Sequence, residues 1–231
     1  MVRTRGILAR AIEALADGVA FGPNEGEDGT FLCHSFCEIG ATPLPEELGR
    51  IRQWLEDNPR EVLILIVQDY VSVEDFGEAM EDAGLRDQAW EHDPESALPT
   101  LGDMIDDERR VFIMGENNGE PGVTWYSPAY EGLVQETPHD SPTQEAALGQ
   151  QACAPLRGGT DGAMLLINHW VAVWPPLVTD ARVVNQTDAV RRLVEQCVDS
   201  RGRTPNLISV NFGETDGAVV VANELNGIEQ D

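Results

Sequence analysis

The sequence predicts an α/β protein built on a parallel sheet, open or closed, and two observations predict it. Short apolar runs rich in β-branched residues recur along the chain between polar residues, which is how a strand buried on both faces reads. Capped segments with apolar residues at helical spacing lie between those runs, and alternation of β with α feeds a parallel sheet. With 231 residues, 42% of them hydrophobic, the chain is long enough for one sizeable core and is expected to form a single domain over residues 1–231.

The elements follow in chain order. Phe31-Leu32-Cys33 is a candidate strand. Residues 45–57 read as a helix: Pro45 and two Glu open the first turn, Leu48, Ile51 and Leu55 share a face, and Asn58-Pro59 stops it. Val62-Leu63-Ile64-Leu65-Ile66-Val67 is the longest strand-like run. Residues 72–83 form a helix that starts on a Ser-x-x-Asp cap, stripes Val73, Phe76 and Met80, and ends at Gly84. A short helix covers 101–106. Strands are expected at 111–114, 133–134, 164–167 and 207–210. The helix at 187–200 turns Val190, Leu193, Val194 and Cys197 inward and ends before Gly202, and a last helix covers 218–225.

Charge narrows the function classes. Asp and Glu number 41 against 15 basic residues, all of them Arg, for a formal net charge of −26. Such a surface repels nucleic acid and anionic lipid at low salt. Because the acids are spread along the chain, they read as a surface suited to concentrated salt, where the Debye length falls to about 3 Å at 1 M, rather than as a disordered tail. No run of 18 apolar residues exists to span a membrane, and no export signal follows the basic Met1-Val2-Arg3-Thr4-Arg5. Four cysteines, Cys33, Cys37, Cys153 and Cys197, allow three pairings or remain as buried thiols. A zinc site on Cys33, His34 and Cys37 has no second ligand pair at suitable spacing.

The residues after each strand carry the chemistry. Cys33 leads into His34, Val67 into Gln68-Asp69, Met114 into Gly115-Glu116-Asn117, Val134 into Gln135-Glu136, Ile167 into Asn168-His169, and Val210 into Asn211. If the parallel strands close a barrel, these residues share one rim, where such folds build their sites. Polar residues also simply mark where strands stop, which accounts for Gln68-Asp69; two of the four histidines at such positions are harder to explain that way. His92, in Glu91-His92-Asp93-Pro94, and His139 read as surface loop residues. No GxSxG, HExxH, P-loop or GxGxxG occurs, which leaves acid/base chemistry by His and carboxylates.

Seven stretches in order resemble the phosphatidylinositol-specific phospholipase C-like phosphodiesterases, in particular the bacterial proteins related to the phospholipase X domain. They are Leu32-Cys33-His34-Ser35 with Cys37-Glu38 and Gly40-Ala41; Asn58-Pro59-Arg60-Glu61-Val62; Leu98-Pro99-Thr100-Leu101-Gly102; Gln135-Glu136-Thr137-Pro138; Leu166-Ile167-Asn168-His169-Trp170; Arg201-Gly202-Arg203 with Pro205-Asn206-Leu207-Ile208; and Glu224-Leu225-Asn226-Gly227. The resemblance implies an irregular TIM-type (βα) barrel. The first family histidine lies in a Thr-His-Asn type loop upstream of the segment matching Arg5-Gly6-Ile7, so the barrel is expected to be incomplete at its N-terminus.

The resemblance also implies a phosphoric diester hydrolase acting on a lipid or inositol-like phosphodiester. One histidine takes the proton of an attacking hydroxyl, a second protonates the leaving oxygen, and an Arg stabilises the charge between them. His34 matches the second histidine, the general acid. Glu136, Asn168, His169 and Asn211 match rim positions that would contact substrate. Ala20-Phe21-Gly22-Pro23 stands where the family carries its Arg, and Asn211 where it often carries Asp, which leaves a non-catalytic phosphate- or inositol-binding module as the alternative. No cofactor is required; Ca²⁺, which some X-domain enzymes hold on strand-end carboxylates, would have Asp69, Glu116 and Glu136 as donors. The partner implied is a phospholipid or small phosphodiester. An extracellular or cell-surface location follows from the family and the even cysteine count.

Overall fold

The computed structural model describes residues 2–3, 29–33, 41–117, 119–120, 122–215 and 217–228. They fall into two compact units, Met1–Pro128 and Ala129–Asp231.

In the first unit, β1 (Val2–Arg3), β2 (Thr30–Leu32) and β3 (Thr42–Pro43) make a small antiparallel sheet in that order. Helix α1 (Leu44–Asp57) follows at once. Pro45 and the acids Glu46 and Glu47 occupy its first turn, Leu44, Leu48 and Leu55 are buried, and Asn58 closes it with its amide N–H on the Trp54 carbonyl at 2.9 Å. Strand β4 (Leu63–Val67) leads to α2 (Val73–Asp82), whose Ser72 cap accepts the Asp75 N–H at 3.0 Å. Helix α3 (Leu101–Asp106) opens on a reciprocal capping box between Thr100 and Asp103, and β5 (Val111–Gly115) and β6 (Ser127–Pro128) complete a parallel sheet in the order β4-β5-β6. Val73, Phe76 and Met80 pack with Leu48, Leu55, Ile113 and Tyr126 in its core.

The second unit carries β7 (Val134–Glu136), α4 (Gln144–Ala147), β8 (Met164–His169), α5 (Val178–Val184), α6 (Thr187–Arg201), β9 (Leu207–Val210) and α7 (Gly217–Leu225). Its sheet is parallel in the order β7-β8-β9. Helix α6 buries Val190, Leu193, Val194 and Cys197, as its periodicity predicts, against Ile167 and Val221. A disulfide joins Cys153 to Cys197 across 44 residues of sequence. Cys33 is disulfide-bonded as well.

The expected TIM-type barrel is not formed. Parallel α/β strands are present, but the described strands divide into three separate three-stranded sheets, whereas a barrel needs one ladder running through every strand. Two local features account for this. The three-residue β2 pairs antiparallel with β1 and β3 instead of lying parallel to β4. The outer edge of β7 is already occupied: the Glu136 N–H donates to the Arg157 carbonyl and the Leu156 N–H donates to the Glu136 carbonyl, both at 3.0 Å, while the Val134 N–H is held by Ala129. A capped edge offers no groups to a further strand.

Two further expectations are corrected. The run at β4 reads as buried on both faces, yet all five of its residues are only half-buried. The strands buried throughout are β5 and β8, the central members of their sheets, and the edge strand β7, whose outer side is covered by the Leu156–Arg157 segment. His92 is not a surface residue: it is buried, its ring stands edge-on to Phe112 at 5.7 Å, and its N–H is bonded to the Thr124 carbonyl.

Candidate functional site

The site is built at the carboxyl end of the β7–β8 pair. Side chains alternate along a strand, so Gln135 and Glu136 project to opposite faces. Gln135 is spent on structure: its amide donates to the Thr160 and Gly162 carbonyls and its oxygen accepts from Arg201. Glu136 is 1% exposed, and a buried carboxylate is stable only when its oxygens are paired. Arg157 supplies a two-point fork, Nε to Oε1 and Nη2 to Oε2, the latter at 3.0 Å. The Tyr130 hydroxyl donates to Oε2 at 3.0 Å and the Asn168 amide donates to the same oxygen at 3.1 Å. The Tyr130 ring also lies under the guanidinium, 4.2 Å from centroid to Cζ, a favourable placement for a cation.

Asn168 is fixed in turn. Its amide donates to the Thr137 carbonyl at 2.7 Å and its backbone N–H to the Thr137 hydroxyl at 2.9 Å. Glu136 and Asn168 are therefore brought into one network, with an Arg whose side chain is 37% exposed. A held guanidinium and carboxylate side by side can accept and donate hydrogen bonds to hydroxyl and phosphate oxygens.

His169 and Asn211 are engaged elsewhere. His169 is fully buried, and its Nε2–H donates to the Val184 carbonyl at the end of α5 at 2.7 Å, while Nδ1 has no hydrogen-bond partner among the described residues. Burial pushes its pKa below the ordinary imidazole value, against the opposing pull of that hydrogen bond, so the ring is neutral. Asn211 is half-buried and its carbonyl accepts from Asn185 Nδ2 at 2.8 Å; the same amide reaches the Thr215 hydroxyl at 2.8 Å.

The first unit has its own strand-end cluster. Asp69, 1% exposed, accepts the Asn117 N–H and the Tyr126 hydroxyl, each at 2.9 Å, and Asn117 Nδ2 returns to the Asp69 carbonyl. Burial first, then the Asp69 carboxylate, raise the Tyr126 phenol far above its usual range, so it stays a neutral donor. This cluster ties the ends of β4, β5 and β6 together. His34 lies outside the described residues. Among those described, no group of three His, Cys, Asp or Glu is placed to hold a metal ion, and the oxygens of Asp69 and Glu136 are engaged as above, so the donor set that Ca²⁺ would need is not assembled there.

Arg157, Tyr130 and Thr137 were not legible as site residues. One signal existed: Arg157 is the single Arg between Arg110 and Arg182, and Gly158-Gly159 follows it.

An α/β chain with a polar network at the carboxyl ends of parallel strands defines the class. The chain belongs to the PI-PLC X domain family, whose model (PI-PLC X 1) matches residues 9–226. It is 27% identical over 223 residues to an "Uncharacterized secreted protein" of Arthroderma benhamiae, covering 86% of this chain and 50% of that one. It is 26% identical to a PI-PLC X domain-containing protein 1 of the same fungus (89% and 72%) and 23% identical to a PI-PLC X domain-containing protein of Arabidopsis thaliana (85% and 49%). The chain thus spans about half the length of two of these relatives. No solved structure matches it.

Proposed function

We propose that this protein is a phosphoric diester hydrolase that cleaves a lipid or inositol-like phosphodiester by acid/base chemistry. The observation that supports it most is the Glu136–Arg157–Asn168 network at the strand ends of a PI-PLC X domain. Cleavage requires a proton for the leaving oxygen, a cation for the charge that builds on phosphate, and a base for the proton of the attacking hydroxyl, the last being the role the resemblance gives to its first histidine. His34 takes the first role. Arg157 takes the second, oriented by Glu136 and by the Tyr130 ring beneath it. Asn168 keeps Glu136 aimed, and neutral His169 anchors the end of β8 to α5. The Cys153–Cys197 disulfide and the relative named as secreted favour action in an oxidising, extracellular compartment.

The test is head-group release from phosphatidylinositol by the purified chain. Turnover is expected, falling roughly 10²- to 10⁴-fold in His34→Ala, the range of a lost general acid, and falling also in Arg157→Lys, which keeps the charge but not the fork. Turnover no higher than that of His34→Ala would end the catalytic reading. The alternative, a non-catalytic phosphate- or inositol-binding module, is favoured by Asn211 and by Ala20–Pro23, which stand where the resemblance implies Asp and Arg. Calorimetry with inositol phosphates separates the two: binding without turnover supports the module.

A further inference from the structure

The loop that carries Arg157 has little to fix its shape by itself. Gly158, Gly159 and Gly162 lie in it, and glycine restricts a chain least. Yet it is pinned from the face of β7 opposite Glu136. The carbonyls of Gly159, Thr160, Gly162 and Ala163 are each taken by a side chain. Gln135, 1% exposed, donates to Thr160 at 2.9 Å and to Gly162 at 2.7 Å. Arg201 Nη2 donates to Gly159 at 3.0 Å and to the Gln135 side-chain oxygen, and its Nη1 donates to the Cys153 carbonyl at 3.3 Å. Arg203 donates to Gly162 at 2.8 Å and to Ala163. Loop carbonyls at a surface are otherwise left to water.

A basic residue in the last turn of a helix needs no fixed partner, because the helix dipole alone favours it. Arg201 departs from that pattern. Its contacts lie 42 to 66 residues away in sequence, and they go to neutral oxygens in a chain with 41 acids. Burial first, then the charge of Arg203, lowers its pKa, so the placement is held against an electrostatic cost. Cys197 lies one helical turn earlier on α6, on the same face, and its disulfide fixes Cys153 where the stretch begins. At the other end a Cβ on Gly162 would come within 2.5 Å of the Gln135 nitrogen, so the loop lies directly on β7. Side chains alternate along that strand. One face offers Glu136 to the Arg157 guanidinium, and the other offers Gln135 to the loop behind it.

We propose that Gln135, Arg201 and Arg203 are positioning residues, which hold the Gly158–Ala163 loop on the reverse face of β7 and thereby fix the Arg157 guanidinium in its fork with Glu136. The inference rests on the phosphodiesterase reading for what Arg157 does to a substrate, and not for how Arg157 is held.

The experiment measures both on the full chain. Solvent exchange of the Arg157 Nε–H is followed by NMR, the resonance being assigned by its loss in Arg157→Ala. Slow exchange is expected in the wild type, and exchange roughly tenfold faster or more in Arg201→Met, the effect of one or two lost hydrogen bonds. Arg201→Lys, which keeps a donor, should fall between them. Arg203→Met should act in the same direction, and it serves if Arg201→Met does not fold. Val221→Ala, a core substitution in α7, is the control for stability alone and should leave the exchange unchanged. In head-group release from phosphatidylinositol, Arg201→Met should lower kcat by roughly 10- to 100-fold, with little further loss in the Arg157→Ala background. Free exchange of the Arg157 Nε–H in the wild type overturns the proposal, as does unchanged exchange in both Met variants. Equal acceleration in Val221→Ala, or a loss of kcat that is just as large without Arg157, reduces these residues to general stability and overturns it too. A wild-type chain without turnover ends the phosphodiesterase reading instead, and the exchange rates still decide how Arg157 is held.

Discussion

Glu136 and His169 show how much a neighbour decides what a residue does. Both sit at strand ends, and both were legible there as polar residues following apolar runs. Glu136 joins the candidate site's network because Arg157, 21 residues away in sequence, folds back onto it. No local pattern encodes that return. His169 is directed instead toward the Val184 carbonyl and is sealed off. Its folded pKa is lowered, chiefly by burial, so the unfolded chain binds the proton more readily. Stability is therefore fully present above the ordinary imidazole value and is lost as pH falls through the lower, folded pKa. His169→Gln keeps a donor for Val184 and removes the titration. Denaturant midpoints at pH 8 and pH 5 should show a smaller acid loss in the variant than in the wild type. An identical loss would assign the acid sensitivity to other groups. His92, also buried and also lowered by burial, has the same sign, so a residual pH dependence is expected in His169→Gln.

At the scale of elements, the segment Leu156–Gly162 matters most. It lies along the outer edge of β7, delivers Arg157 to Glu136, and stands where a barrel would continue its ladder. The approach is close: a Cβ on Gly158 would come within 1.8 Å of the Val134 carbonyl oxygen, whereas one on Gly159 would meet nothing within 4 Å. Both glycines have positive φ, 70° and 59°, which costs an ordinary residue about 1–2 kcal/mol. Gly159→Ala should therefore destabilise by about 1 kcal/mol, and Gly158→Ala by about 3 kcal/mol or more, since the clash adds to the strain. Equal denaturant midpoints for the two variants would mean the segment is not held against β7. Strand burial was also beyond sequence reading. Leu63-Ile64-Leu65-Ile66-Val67 is entirely apolar, yet it takes an edge position and stays half-buried, while Val111–Gly115 takes the centre and is buried throughout. An apolar run states how much a strand can bury; what lies against it decides how much it does, since the edge strand β7 is fully buried beneath the Leu156–Arg157 segment.

For the molecule as a whole, the dominant sequence feature is its net charge of −26. Among the described residues, several of the ion pairs are exposed and local, such as Arg50 with Glu46 and Glu47 or Arg191 with Asp188, and exposed pairs contribute about 0–1 kcal/mol each. With 41 acids and 15 bases, the excess of like charge opposes the folded state at low salt, and salt screens that repulsion. The thermal midpoint should rise by about 5 °C or more between 0.1 M and 2 M KCl, a gain of one or two kcal/mol for a chain of this size. A midpoint that is flat or falls with KCl would remove the reading of this surface as an adaptation to salt.

Helices at 44–57, 73–82, 101–106, 187–201 and 217–225, and most of the strands between them, were readable from spacing, caps and stops. The hydrogen bonds and side-chain faces of a helix are set within a few residues of each other. The family was readable too, because its seven motifs sit in order along the chain. The closed barrel was not recovered, since ladder pairing joins residues far apart and a covered edge cannot be seen in a pattern of apolar residues. The same is true of the site: Glu136 and Asn168 could be read at strand ends, but the guanidinium that completes their network came from a glycine-flanked loop whose return to β7 is a property of packing.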